Sequence, residues 1–166
     1  MLVGKAPCGL RYAVRRSGRA VGYCSLTIKC GTRDEGDHHS GIAHFTEHTI
    51  FKGTSKKSAK VINSYLDRLG GDLNAFTTKE EIVIHSTVLK EDLGKAAALL
   101  LELATCPIFP DEEISIEKGV VIDEISSYKD SQPVERLLVI RLRVEKRYLF
   151  HGVSFTNRLS VRRVRG

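Results

Sequence analysis

His44, Glu47 and His48 stand at the spacing H-x-x-E-H within residues 44–48. Residues three and four apart on an α-helix project from one face, so two imidazoles and one carboxylate are presented together. Imidazoles so placed can share one metal ion, with Glu47 beside them free to move a proton without being a ligand. The order is the reverse of the commoner H-E-x-x-H zinc-site pattern. Chance is the bland alternative: at average composition the pattern arises in roughly one chain of this length in a few hundred, so it needs support from elsewhere. A catalytic zinc site usually takes three protein ligands and leaves the fourth position to water, which asks for one more acid.

Residues 110–129 read as a helix that can supply it. Pro110 suits a first turn, and Asp111, Glu112 and Glu113 follow at the positive end. Glu117 and Glu124 lie seven apart, two turns along one face. Either alone is ordinarily a solvated glutamate, and Glu117 can be satisfied by a nearby lysine. Within the apolar run Val120 to Ile125, however, a buried Glu124 needs a cation, and a metal ion is one.

Three separated blocks now carry a resemblance. Residues 41–54 (GIAHFTEHTIFKGT), residues 71–78 (GDLNAFTT) and residues 117–125 (EKGVVIDEI), with Glu124 76 positions after His48, resemble the pitrilysin or insulinase-like zinc metallopeptidases, most of all the processing-peptidase branch. The likeness runs from about residue 8 to residue 133, the N-terminal part of such a domain. It implies that His44, His48 and Glu124 hold one Zn2+ per chain, that Glu47 is the general base, and that Glu117 is a second catalytic acid supporting the site from behind. It also implies that Asn74 and the backbone at Ala75 contact an extended substrate. The implied activity is a zinc-dependent endopeptidase acting on peptides or unfolded polypeptide: the metal activates water and the neighbouring carboxylate relays its proton. The alternative is a truncated, non-catalytic zinc-binding or interaction domain. The family's two related halves close around the peptide, so a second homologous half or subunit is the implied partner.

The elements that must position these residues read as α+β, an antiparallel or mixed sheet with helices packed on it. Residues 10–16 and 20–29, joined at Ser17-Gly18-Arg19, predict a β-hairpin. The motif helix starts after Gly41 and ends at Gly53. Ser58 is placed to cap a helix from Ala59 to Leu69, on which Val61, Ile62, Tyr65, Leu66 and Leu69 follow helical spacing. Strands follow near 72–77 and 81–89, then a helix from Glu91 to about Thr105 with Leu93, Ala97, Leu100, Leu101 and Ala104 as its apolar face.

The 166 residues, 42% apolar, are of one-domain size. The longest apolar run, Ala96 to Ala104, is broken by Glu102 and falls short of a membrane span. The first residues lack a secretory signal's apolar core, so a cytoplasmic protein without membrane attachment is expected. Cys8, Cys24, Cys30 and Cys106 form no C-x-x-C pair and are expected as reduced, mostly buried thiols. His38, His39 and His85 read as ordinary loop and strand histidines.

The net charge of +6 has a single source. Residues 134–166 hold nine of the 26 basic residues and two of the 20 acids, leaving 17 and 18 in residues 1–133. The chain thus divides into a metallopeptidase-like part, 1–133, and a basic extension, 134–166. Two origins compete for the extension, a native basic helix or a shifted reading frame, and the coincidence of composition break, lost resemblance and Arg-rich end favours the second. Nucleic-acid binding by the extension is disfavoured, because no aromatic stacking pattern accompanies the charge.

Overall fold

The computed structural model describes residues 1–37, 41–68 and 70–131, with a two-residue strand pair at Phe155–Thr156 and Arg158–Leu159. His38, His39, Ser40, Leu69 and the remainder of 132–166 lie outside the described residues, and with them the readings of the two loop histidines and of nearly all the basic extension.

The first strands form a hairpin of their own. β1 (Leu2–Lys5) pairs antiparallel with β2 (Arg11–Val14), Leu2 opposite Val14 and Lys5 opposite Arg11. Their turn is built by Pro7 and Gly9: the Gly9 N–H donates to the Ala6 carbonyl at 2.8 Å, and Gly9 takes φ +93°, which a side chain would resist. The hairpin expected between residues 10–16 and 20–29 is therefore not formed. β2 pairs backwards with β1, and β3 (Val21–Ile28) pairs with β5 (Ile82–Leu89). The reason lies in their faces. β2 is exposed at every position, whereas β3 alternates and turns Gly22, Cys24, Leu26 and Ile28 inward, so only β3 gains by joining the sheet.

The main sheet has the order β3-β5-β4, with β4 spanning Asp72–Thr77, and is antiparallel throughout. Thr77 stands opposite Ile82 and Asp72 opposite Thr87, so Leu73 and Ala75 share the inward face with Ile84 and Val88. Against that face lies α3 (Leu93–Thr105), with α2 (Ala59–Arg68) at its side. Ile50, Ile62, Ile84, Val88, Ala96, Leu99, Leu100 and Leu103 are buried together between these elements. Each of the Ile, Leu and Val side chains contributes roughly 1.5–3 kcal/mol by leaving water. The helical periods hold but the faces shift: on α3, Leu101 points outward at 40% exposure while Ala96, Leu99 and Leu103 face the sheet, and on α2 Val61 is likewise 40% exposed. His85 sits in β5 on the opposite sheet face, beside the rings of Tyr23 and Phe76.

A second, smaller cluster ties α1 (Ile42–Thr49) to α4 (Asp111–Ser131): Phe45, Phe109, Ile114 and Val121 are buried together, with Ile125 packed against them. Among the described residues no helix is long and apolar enough to cross a membrane. The four cysteines are free thiols, but the expectation that most are buried is corrected: Cys8, in the β1–β2 turn, is exposed, and Cys24 in the edge strand β3, Cys30 just after it and Cys106 at the end of α3 are half-buried. Burial pushes the Cys24 and Cys30 thiols up, and the Asp34 and Glu35 charges add to this at Cys30.

Candidate metal centre

α1 is short, eight residues, and is anchored at both ends and along one side. Gly41 precedes it at φ +94°, and the buried Glu35 carboxylate, from the 3-10 turn Thr32–Glu35, accepts the N–H groups of Gly41 and Ala43 at 3.0 Å each. A carboxylate at a helix N-terminus satisfies donors left open by the helix and complements its dipole. The helix ends at Thr49 instead of continuing to Gly53: the Lys52 N–H already turns back to the Thr49 carbonyl at 3.0 Å. Phe45 points into the second core and is fully buried, which turns His44, Glu47 and His48 to the opposite, half-open side.

There the two rings meet edge to face, centroids 4.6 Å apart. His48 Nε2 lies 3.2 Å from His44 Nε2 and 3.3 Å from Glu124 Oε2, and His44 Nε2 lies 3.8 Å from that oxygen. Metal–ligand distances of about 2.0–2.1 Å at tetrahedral angles place ligand atoms roughly 3.3 Å apart, which the two edges of this triangle at His48 match, while its His44–Glu124 edge of 3.8 Å is wider. Its chemistry agrees. His48 Nδ1 lies 2.8 Å from Glu117 Oε1, and because an ionised carboxylate only accepts, this contact selects the tautomer in which Nδ1–H donates the hydrogen bond. The Nε2 lone pair of His48 is then left facing a second imidazole nitrogen and a carboxylate. In one tautomer His44 Nε2 donates to His48 Nε2 across this 3.2 Å contact; in the other it joins His48 Nε2 and Glu124 Oε2 as a third acceptor around one point, and that arrangement fits a cation.

The two acids of α4 exchange the environments expected of them. Glu124 is not buried: its side chain is 32% exposed, because Val120 and Ile122 of the apolar run face solvent while Val121 and Ile125 face α1. Glu117 is the buried one, at 7%, between His48 and Lys52, whose Nζ lies 2.5 Å from Glu117 Oε2. Burial pushes the Glu117 carboxyl up, but the hydrogen bonds and charges of Lys52 and His48 outweigh it and hold the group below the usual carboxylate value. The seven-residue spacing thus brings both acids to one histidine, Glu117 at Nδ1 and Glu124 at Nε2.

Glu47 stays clear of this triangle and accepts a hydrogen bond from the Thr77 hydroxyl of β4. β4 is the edge strand nearest the helix, and a cleft of about 260 Å³ runs between them, lined by Glu47, His48, Phe51, Lys52, Asn74, Ala75 and Glu117. Asn74 Oδ1 accepts the Ala75 N–H at 2.9 Å. All seven residues expected at the site therefore gather within one region. Three others were not anticipated: Glu35, Lys52 and Thr77. Lys52 had a readable signal, one helical turn after His48; Thr77 had its place in the 71–78 block; Glu35, across a loop, had none.

The description Insulinase (Peptidase family M16) covers a family model that matches residues 11–152, running past Pro133. A zinc protease of Rickettsia bellii is 40% identical over 107 residues, 64% of this chain and 26% of its own length. The zinc protease YmxG of Bacillus subtilis is 42% identical over 104 residues, 63% of this chain and 25% of its own. The mitochondrial-processing peptidase subunit beta of Bos taurus is 35% identical over 117 residues, 70% of this chain and 24% of its own. The chain thus spans about a quarter of the length of the curated relatives it matches.

Proposed function

Since this chain belongs to the insulinase family of peptidases, family M16, we propose that it carries the catalytic centre of a zinc-dependent endopeptidase. The observation that carries the reading is the convergence of His44 Nε2, His48 Nε2 and Glu124 Oε2 with Glu47 alongside but outside the triangle. These three would hold one Zn2+, which when bound lowers the pKa of water towards neutrality and polarises a peptide carbonyl. Glu47 takes the proton of the attacking water as the water oxygen bonds to the carbonyl carbon. It then passes that proton to the amine nitrogen as the C–N bond breaks. Thr77, by donating to one Glu47 oxygen, leaves the other free for this proton.

An extended peptide fits as a strand added beside β4, with Asn74 and the Ala75 backbone as its contacts. Support comes from the position of β4 at the sheet edge and from the presence of both residues in the cleft that holds Glu47. The remaining walls of the substrate site come from a second homologous half or subunit, a reading supported by the bovine relative's being named as a subunit. The test combines metal analysis with a quenched-peptide assay. One zinc per chain and chelator-sensitive cleavage are expected, and Glu47→Gln should keep the metal while turnover falls about 10²- to 10⁴-fold. A Glu47→Gln variant with full turnover would sink the assignment of the base.

A further inference from the structure

We propose that Lys52 is a positioning residue of the metal centre: its ammonium pins the buried Glu117 carboxylate, which in turn holds the His48 ring with Nε2 turned towards the metal. This rests on the reading of His44, His48 and Glu124 as ligands. The two Glu117 oxygens are divided between two partners, Oε1 with His48 Nδ1 at 2.8 Å and Oε2 with Lys52 Nζ at 2.5 Å. Among the described residues Glu117 has no other side-chain partner, and Lys52 has no other acid. A carboxylate held at one oxygen can swing about its last bond, whereas one held at both defines a plane and therefore a direction for the imidazole it accepts from. The Glu117 side chain is only 7% exposed, so removing the ammonium leaves a nearly buried carboxylate without its cation. Lys52 occupies the turn after α1, within reach of α4, and so ties the end of the His-bearing helix to the helix that supplies Glu124.

The experiment measures zinc affinity of the full chain by competition with a chelator. Lys52→Met should weaken zinc binding about tenfold or more without altering any ligand, and Lys52→Arg, which keeps a cation, should recover most of the loss. Glu117→Gln should weaken binding by itself, and adding Lys52→Met to it should weaken it no further. Unchanged affinity in Lys52→Met, or losses that multiply in the double variant, would overturn the proposal. A second readout needs no metal. Nitrogen–proton correlations across the His48 ring should show the proton on Nδ1 in the wild type and a mixture of tautomers in Lys52→Met; one unchanged tautomer in both counts against the role. Should the wild type take up no zinc, the ligand assignment fails while this ring measurement still decides the role of Lys52. If circular dichroism shows Lys52→Met unfolded, Lys52→Gln is put through the same comparisons and must show the same losses.

Discussion

Glu102 shows how much a single carboxylate contributes when its partners are preset by the turn around it. It accepts the Thr54 hydroxyl at 2.6 Å and the Lys57 ammonium, joining α3 to the loop that follows the His-bearing helix. Burial pushes its carboxyl up, and the hydrogen bonds of Lys57 and Thr54 with the charges of Lys57 and Lys56 more than reverse this, so it ends below the usual value. A carboxyl lowered by folding stabilises the fold fully above its unfolded pKa, and loses that contribution as pH falls through its folded pKa. Glu102→Gln should therefore cost about 1 kcal/mol at pH 7, and urea unfolding should show its deficit against wild type shrinking below about pH 4. A deficit that stays constant into acid would mean that packing, not charge, is what Glu102 supplies. The same logic separates the two acids of α4. Their seven-residue spacing was legible from the chain, but which of them is buried was not, because that depends on where Val121 and Phe45 meet.

At the scale of elements, the candidate metal centre depends on one contact between helices. α1 is too short to persist alone and owes its existence to Glu35 at its N-terminus and to Phe45 in the second core. Phe45→Ala should destabilise the protein by about 3–5 kcal/mol, and zinc affinity should fall with it, although no ligand has changed. Ile116→Ala, on the same α4 but 61% exposed, should stay within about 0.5 kcal/mol and leave zinc binding alone. Paired urea and zinc titrations on the two variants check this; equal effects would deny the Phe45 cluster its positioning role. Helix periods were readable because apolar residues recur every three to four positions, and the observed α2, α3, β4 and β5 fall within a few residues of their predicted bounds. Their faces were less so: Leu101 and Val61 are as apolar as their buried neighbours, and only the sheet decides which of them it covers. The misplaced hairpin has the same origin, since β2 and β3 are both apolar enough to read as strands while β3 alone has an inward face to bury.

For the molecule as a whole, the candidate centre joins residues 76 positions apart in the chain, so the proposed metal binding would be coupled to folding. Zinc at one hundred times its dissociation constant should raise stability by about 2.7 kcal/mol, seen as a higher melting temperature that a chelator reverses and His44→Ala abolishes. A melting temperature indifferent to zinc in the wild type would argue against a site formed by the fold. The H-x-x-E-H spacing, the acids of α4 and the 71–78 block were determined by the sequence itself, because helical and strand periodicity puts side chains on a common face whatever surrounds them. What only the tertiary structure decided is the direction of approach between those faces. The Phe45 cluster sets α4 against α1, so that Glu117 reaches one nitrogen of His48 and Glu124 the other, and Lys52, Thr77 and Glu35 become partners of a site they adjoin only in space. Such contacts are long-range in sequence, and no local period encodes the distance across which two faces pack.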